Sequence, residues 1–198
     1  MQTRHQIIQR LQEFQSFKNK SSKEWLSELN YCILTANSKA STAIIVQKEL
    51  DKKGDKITVE EATVLLRKHN HRFHNTKAER IIKAKEHKNI KETLQAIIKK
   101  EGVIGARNWL VKNVEGIGMK EASHYLRNTG HDGIAILDRH IISTMKENGI
   151  IDEEPKLLDT KTYLELEKRF LNLSKKLNIR PAELDLTLWC LKSGAVLK

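Results

Sequence analysis

The sequence predicts an all-α fold. Apolar residues recur at intervals of three and four through nearly the whole chain, as in Ile7, Leu11 and Phe14, and this spacing places them on one face of a helix. The only prolines are Pro155 and Pro181, so long segments carry no strong helix breaker. The sequence also lacks the sustained apolar–polar alternation of a half-buried strand. These three observations favour a helical bundle.

Each predicted helix follows from its own apolar spacing and boundary residues. Ser21 and Glu24 have the spacing of a capping box and predict a helix start, whereas Asn128-Thr129-Gly130 predicts a helix end. In chain order, the predicted helices lie around residues 7–14, 21–33, 41–52, 59–67, 78–87, 90–100, 109–114, 122–126, 141–145, 163–177 and 181–191. A polar connector from Gly149 to Lys161 precedes the last two predicted helices. No internal repeat is evident in the sequence.

Charge and composition narrow the class of protein. The 198 residues carry a formal net charge of +11, which favours a polyanionic partner, with solvated helix faces as the alternative. A hydrophobic content of 39% suffices for the core of one large domain or two small ones. The chain has no apolar run of transmembrane length, no signal peptide and only two, widely spaced cysteines. We therefore expect a reduced intracellular protein of the cytoplasm or nucleoid, without a membrane partner.

The most informative segment is Val114-Glu115-Gly116-Ile117-Gly118-Met119-Lys120-Glu121-Ala122. Its two glycines permit positive φ angles and a tight turn between two helical segments. The N–H groups of Gly116, Gly118 and Met119 then lie at the start of the second helix, where unpaired donors and the helix dipole favour a phosphate. The segment therefore predicts a helix-hairpin-helix that binds nucleic acid through its backbone.

Lys120 and Asp138 are the candidate catalytic pair. A positive charge in the first turn of a helix opposes the macrodipole, which favours the neutral, nucleophilic amine at Lys120. Asp138 follows eighteen residues later and can stabilise a cationic sugar if the fold brings it near. Each residue has a simpler alternative, because Lys120 suits a phosphate contact and Asp138 suits the N-cap of the next helix.

These residues resemble the helix-hairpin-helix, Gly/Pro-Asp superfamily of base-excision DNA glycosylases. That superfamily carries Gly-x-Gly-x-Lys on its hairpin and an aspartate about eighteen residues later, as here at Lys120 and Asp138. Leu34-Thr35-Ala36-Asn37 resembles the loop before its lesion pocket, and Phe73-His74-Asn75-Thr76-Lys77-Ala78 resembles the Tyr-Asn-x-Lys-Ala segment of endonuclease III. The resemblance therefore covers most of the chain.

Within the superfamily, the chain is most similar to the type 2 8-oxoguanine DNA glycosylase/lyase branch of archaea and bacteria. The residues that carry this similarity are the hairpin through His124, the Asp138-Arg139-His140 segment, Arg72-Phe73 and the tail from Trp189. Cys32 and Cys190 cannot supply the four thiolates of the iron–sulfur cluster of endonuclease III. The resemblance implies catalysis by Lys120 and Asp138 with neither a metal nor an organic cofactor.

The resemblance also implies a domain organisation. Two helical subdomains are expected to flank a cleft and to be joined at the helix-hairpin-helix. One comprises residues 31–124 and ends in the hairpin. The other comprises residues 1–30 and 125–198 and carries Asp138 and the C-terminal tail.

The remaining site residues follow from nucleotide flipping, which exposes the sugar of a stacked base. The resemblance places Asn37 at the opposite base, with a helix cap as its alternative, and Phe73 beside Arg72 as a wedge, with core packing as its alternative. Arg139 and His140 are expected to contact DNA. The resemblance also implies that Trp189 stacks on the lesion, with core packing as its alternative. It implies that the terminal carboxylate of Lys198 accepts a hydrogen bond from the lesion, with a frayed tail as the alternative.

The expected partner is double-stranded DNA containing 8-oxoguanine, bound by a monomer. Three functions remain open from the sequence. The first is a base-excision glycosylase/lyase that removes 8-oxoguanine through a lysine Schiff base and β-elimination. The second is a lyase on another oxidised base or on abasic sites. The third is a non-enzymatic helix-hairpin-helix DNA-binding protein.

Overall fold

The computed structural model describes residues 2–54, 56–196 and 198, in which the regular secondary structure is entirely helical. The helices are α1 (Gln2–Phe17), α2 (Ser22–Thr35), α3 (Ala40–Lys53), α4 (Val59–Lys68), α5 (His74–Ala84), α6 (Ile90–Asn113), α7 (Met119–Asn128), α8 (Arg139–Glu147), α9 (Thr160–Leu177) and α10 (Pro181–Ser193), with a 3₁₀ turn at Lys85–His87. The predicted all-α class is confirmed. None of the helices in these residues is both long and apolar enough to cross a bilayer.

Local sequence signals account for several helix boundaries. The predicted capping box of Ser21 and Glu24 forms at the start of α2. By contrast, α5 begins at His74 rather than near Ala78, and the helices predicted around 90–100 and 109–114 are two arms of α6. The arms meet at Gly102, whose φ of 73° and ψ of −177° break the helical path at a residue without a Cβ.

The chain divides into two compact units. We call Asn19–Tyr125 the hairpin unit, and Met1–Lys18 with Leu126–Lys198 the terminal unit. The hairpin unit includes all of α2, because α2 packs against α3, α5 and α6. The sequence-based boundary at residue 31 divides that helix, and the predicted pair of subdomains and the cleft between them stay predictions.

Aromatic contacts fix α7 within the hairpin unit. The rings of Trp25 and Tyr125 meet edge to face at 6.2 Å, and the Tyr125 hydroxyl donates to the Trp25 carbonyl at 3.1 Å. Both side chains are fully buried. Because Tyr125 lies on α7 and Trp25 on α2, these contacts position the first turn of α7, which follows the hairpin.

The terminal unit is built around α10, which packs against α1, α8 and α9. Its apolar cluster comprises Ile7, Leu11, Phe14, Ala182 and Leu186, with Val196 of the tail packed against it. Arg127 and Asp185 form a buried ion pair in this unit, and the Arg127 guanidinium lies 4.8 Å from the ring centroid of Phe14. These contacts hold α1, α10 and the end of α7 together.

Candidate active site

The hairpin between α6 and α7 turns at Gly116, which has a φ of 84°. A Cβ on Gly116 would be strained by the positive φ and would lie 2.4 Å from Cδ of Arg80, so the Arg80 side chain would have to shift. Gly118 differs, because its φ is not positive and the nearest atom to an added Cβ is Oε2 of Glu121 at 3.4 Å. The predicted positive φ therefore occurs only at the first glycine.

Backbone donors are available at the start of α7. Among the described residues, the N–H groups of Gly116, Gly118 and Met119 have no hydrogen-bond partner, whereas Ile117 donates to the Val114 carbonyl. The Gly118 carbonyl accepts from Ala122 at 2.9 Å and so begins the helix. Free donors at a helix N-terminus are the geometry that binds a phosphate, as the sequence predicts.

Lys120 lies in the first turn of α7 with its side chain 24% exposed. Its Nζ lies 3.0 Å from Oε1 of Glu121, whose side chain is 15% exposed. The pair is therefore partly shielded from water, and the attraction between its charges opposes the repulsion of Lys120 by the helix dipole. Lys120 is therefore subject both to the dipole of α7 and to the opposing ion pair with Glu121.

A second lysine of the hairpin unit is almost completely buried. Lys77 on α5 is 2% exposed, and its Nζ donates to the carbonyls of Leu34 and Ala36 at 2.7 and 2.6 Å and to Oγ of Ser38 at 2.9 Å. Burial, followed by repulsion from Lys120, lowers the pKa of Lys77 to about 8.

Asn37 lies on the turn that Lys77 holds. It is exposed, and its φ of 53° places it in the left-handed region, which asparagine tolerates better than most residues. It lines a groove of about 630 Å³ together with Gly116, Gly118 and Arg80. The hairpin unit therefore brings Asn37 to the hairpin glycines, as one continuous surface.

Phe73 lies at the N-cap of α5 in a strained conformation. Its φ of 58° and ψ of 39° are left-handed, which is rare for an aromatic residue, and its side chain is 53% exposed. The Arg72 guanidinium lies 5.1 Å from its ring centroid. The exposure excludes the core-packing alternative, and strain of this kind is frequent at functional sites.

Asp138 of the terminal unit caps α8. Its Oδ1 accepts from the backbone N–H groups of His140 and Ile141, both at 2.9 Å. Arg139 is exposed, and its Nε lies 3.4 Å from Nε2 of His140. The capping alternative is therefore correct for Asp138, and a carboxylate fixed by two backbone donors retains a second oxygen for other contacts.

The segment that leads to Asp138 is irregular, and within the described residues it pairs with no strand. Ile134 to Leu137 are buried. The side chains of Tyr163 and Glu167 on α9 form hydrogen bonds with backbone groups of this segment. The Tyr163 hydroxyl donates to the Ala135 carbonyl at 2.7 Å and accepts from the Leu137 N–H at 3.3 Å. Glu167 Oε1 accepts from the Ala135 N–H at 2.9 Å. Side chains on one face of α9 thus make the hydrogen bonds that a neighbouring strand would otherwise make, and they position Asp138.

The predicted lesion-recognition residues lie on α10 and after it. Trp189 is partly exposed on α10, which packs against α8, the helix that Asp138 caps. The tail leaves α10 at Gly194, with a φ of 75°, and Val196 packs against the terminal-unit core. Lys198 is partly exposed, and Leu197 lies outside the described residues. The tail is therefore anchored to the terminal unit at Val196.

The structure identifies three further site residues that sequence reasoning did not single out. They are Lys77, which holds the Asn37 turn, Arg80, which packs over Gly116, and Glu121, which pairs with Lys120. Because Glu121 directly follows Lys120, the sequence alone could have indicated this ion pair. Lys77 lay within a segment that resembles the superfamily, but its burial depends on residues more than forty positions away.

Comparisons with known proteins identify the family of the chain. The family model described as 8-oxoguanine DNA glycosylase matches residues 7–179. The 8-oxoguanine DNA glycosylase/AP lyase of Methanocaldococcus jannaschii is 46% identical over 97% of this chain and 91% of that protein.

Solved structures give the same result. The crystal structure of the M. jannaschii 8-oxoguanine glycosylase/lyase in complex with a 15mer DNA containing 8-oxoguanine superposes with a TM-score of 0.91, at 45% identity over 97% of this chain and 91% of that one. The 8-oxoguanine DNA glycosylase of Thermotoga maritima superposes with a TM-score of 0.86, at 37% identity over 97% and 91%. On this evidence, the chain belongs to the 8-oxoguanine DNA glycosylase family.

Proposed function

We propose that the chain is a bifunctional 8-oxoguanine DNA glycosylase/AP lyase of base-excision repair that acts on double-stranded DNA. The observation that carries the proposal is Lys120, in the first turn of α7 beside unpaired backbone donors. The names of the relatives and the DNA in one solved complex support the substrate. They also favour this function over a lyase for another lesion and over a non-enzymatic binding protein.

The proposed reaction assigns a role to each group. A phosphate of the DNA binds the N–H groups of Gly116, Gly118 and Met119, and the damaged nucleotide is flipped out of the stack. The neutral amine of Lys120 attacks C1′, and the bond from C1′ to the base breaks with its electron pair moving to the base, which takes up a proton. The Asp138 carboxylate stabilises the positive charge that develops on the sugar.

The lyase step follows from the covalent intermediate. Loss of the amine proton and opening of the sugar ring give a Schiff base between Lys120 and C1′. Removal of a proton from C2′ then expels the 3′ phosphate, so the strand is nicked by β-elimination. Phe73 and Arg72 are proposed to enter the space left in the duplex, Asn37 to contact the opposite base, and Arg139 and His140 to contact the backbone.

Lesion recognition is assigned to the C-terminal residues. 8-Oxoguanine carries a hydrogen on N7, which is an acceptor in guanine, so the pocket needs an acceptor there. We assign that acceptor to the segment around Lys198 and the stacking surface to Trp189.

Borohydride trapping tests the proposal, because it reduces a Schiff base to a stable covalent adduct. The wild-type protein is expected to form an adduct with an 8-oxoguanine duplex, and Lys120→Gln is expected to form none while retaining DNA binding. Lys23→Gln is the matched control, since Lys23 also lies in the first turn of its helix and precedes a glutamate. An adduct that persists in Lys120→Gln, or no wild-type adduct with this duplex, would reject the proposal.

A further inference from the structure

Arg80 on α5 is a cation of the hairpin unit to which the proposed reaction assigns no role. Its side chain is partly buried. Within the part of the chain that the structure describes, the guanidinium forms no hydrogen bond and no ion pair, and its Nε is shielded from water. A guanidinium is always charged and carries five N–H donors, so partial burial without an acceptor is unfavourable. This position therefore favours an anion that comes from outside the chain.

The guanidinium lies against the hairpin. The Cβ position of Gly116 is 2.8 Å from Nε of Arg80 and 3.1 Å from its Cζ. Because a Cβ lies about 2.5 Å from the N atom of its own residue, Cζ of Arg80 is within about 6 Å of the Gly116 N–H donor. Each hydrogen bond to a phosphate oxygen spans about 2.9 Å, so both groups can reach oxygens of one phosphate.

The carboxylates of the groove do not occupy Arg80. Those that line the groove with it are Glu86, Glu115 and Glu121. Glu115 accepts from Nζ of Lys83 at 2.7 Å, and this hydrogen bond, more than the charge of Arg80, lowers the pKa of Glu115. Glu121 pairs with Lys120, and Glu86 is exposed on the 3₁₀ turn. Arg80 is therefore available to a phosphate of bound DNA.

We propose that Arg80 is a side-chain ligand of the DNA phosphate that the hairpin binds. The inference rests on the proposed function, which places a DNA phosphate at the N–H groups of Gly116, Gly118 and Met119. The hairpin supplies neutral backbone donors, whereas arginine adds a positive charge and a planar fork of donors that matches a phosphate. A glycine at position 116 permits this close approach of α5 to the hairpin.

The first test measures the affinity for undamaged duplex DNA by fluorescence anisotropy over a range of salt concentrations. Each phosphate that a cation neutralises adds about 0.9 to the steepness of log affinity against log salt concentration. We expect Arg80→Met to reduce the steepness by about 0.9 and to weaken binding about tenfold at fixed salt, because methionine retains the apolar stem but loses the charge and the donors.

Two further variants complete this comparison. Arg67→Met is the matched control, since it removes the same charge from an exposed position of α4 in the same unit, and we expect it to retain the wild-type steepness. Arg80→Gln also removes the charge of Arg80, and its polar side chain suits partial exposure, so it replaces Arg80→Met if that variant does not fold. Thermal unfolding identifies the variants that fold.

The second test asks whether Arg80 and the hairpin bind the same phosphate. Groups that share one ligand are coupled, so the effects of their substitutions are not additive. Gly118→Ala is expected to weaken DNA binding through the hairpin. Combined with Arg80→Met, it should lose affinity by a factor about threefold or more below the product of the two single losses. Combined with Arg67→Met, it should show the full product. A merely structural role of Arg80 would not change the steepness with salt.

Several outcomes would overturn the inference. These are a steepness for Arg80→Met, or for Arg80→Gln in its place, equal to that of wild type and Arg67→Met, unchanged binding by Gly118→Ala, or independent effects of Arg80→Met and Gly118→Ala. The proposed function fails by a different result. A wild-type protein that forms no borohydride adduct with an 8-oxoguanine duplex rejects that function, whereas the effect of Arg80→Met on undamaged DNA persists.

Discussion

Lys120 Nζ and Glu121 Oε1 lie 3.0 Å apart at the start of α7, so the proposed nucleophile and a carboxylate are neighbours both in sequence and in space. The Glu121 carboxylate attracts the side chain of Lys120, whereas the charge of Lys77 repels that side chain. The amine must leave the ion pair with Glu121 before it can attack C1′, so this contact bears directly on the proposed reaction.

Glu121→Gln is expected to release the side chain of Lys120 from its ion pair and so to speed borohydride trapping. Loss of one partner of a partly exposed ion pair corresponds to about 1 kcal/mol or less, and therefore to a change in rate of up to about fivefold. Single-turnover trapping at one fixed pH measures this change. Glu101→Gln is the control, because Glu101 also follows its lysine partner but lies in an exposed pair. A trapping rate that is unchanged or lower contradicts the expected role.

Asp138→Asn is expected to separate capping from catalysis. Asparagine caps a helix about as well as aspartate, so the free energy of unfolding should change little, whereas alanine should cost about 1 kcal/mol. Loss of the negative charge should slow excision about a hundredfold or more in single-turnover assays. Asp159→Asn, at the N-cap of α9, should leave both quantities near wild type. Near-normal excision by Asp138→Asn would show that Asp138 acts only as a helix cap.

Phe73→Gly is expected to stabilise the protein and impair the enzyme. Glycine adopts positive φ without steric cost, so we expect the free energy of unfolding to rise by about 1 kcal/mol in a denaturant titration. Excision from duplex DNA should become slower, since the exposed ring is lost. Asn178→Gly relieves a left-handed residue at the end of α9 and serves as the control. Full activity of Phe73→Gly would remove the proposed wedge role.

The two hairpin glycines are expected to respond differently to alanine. Gly116→Ala meets Arg80 at 2.4 Å and requires a positive φ, so we expect a loss of about 1–2 kcal/mol in unfolding free energy. Gly118→Ala has space and an ordinary φ, so it should fold normally, but its methyl group lies beside the free N–H groups. Fluorescence anisotropy at fixed salt should then show about tenfold weaker DNA binding. Unchanged binding by Gly118→Ala would place the phosphate elsewhere.

His131 is expected to make the protein less stable in acid. Burial, followed by the charge of Lys18, lowers the pKa of His131 to about 4 from an ordinary value near 6.5. The unfolded chain therefore binds more protons between these values, so stability is complete above about pH 6.5 and falls by up to about 3 kcal/mol as the pH drops towards 4.

Thermal unfolding at a series of pH values measures this effect. His131→Gln should lose less stability than wild type between pH 6.5 and 4, because glutamine does not titrate. His5→Gln, at an exposed position of α1, should follow the wild-type curve. Parallel curves for wild type and His131→Gln would show that other groups cause the acid response.

Local signals in the sequence determined the helices, the capping box of Ser21 and Glu24 and the turn at Gly116. The same is true of Asp138 as an N-cap, because two donors within three residues complete it. Each of these features depends on residues a few positions apart, whose geometry follows from backbone sterics and helix-end hydrogen bonding.

The tertiary structure alone decided the features that join distant segments. Lys77 binds carbonyls about forty residues away, and Tyr163 and Glu167 hold the irregular segment before Asp138. Phe73 remains exposed although its residue type suits a core. Apolar periodicity indicates which face of a helix is buried, but not which other segment covers it. The choice of partner depends on packing over the whole unit, and so the supports of the proposed site emerge only when the chain is folded.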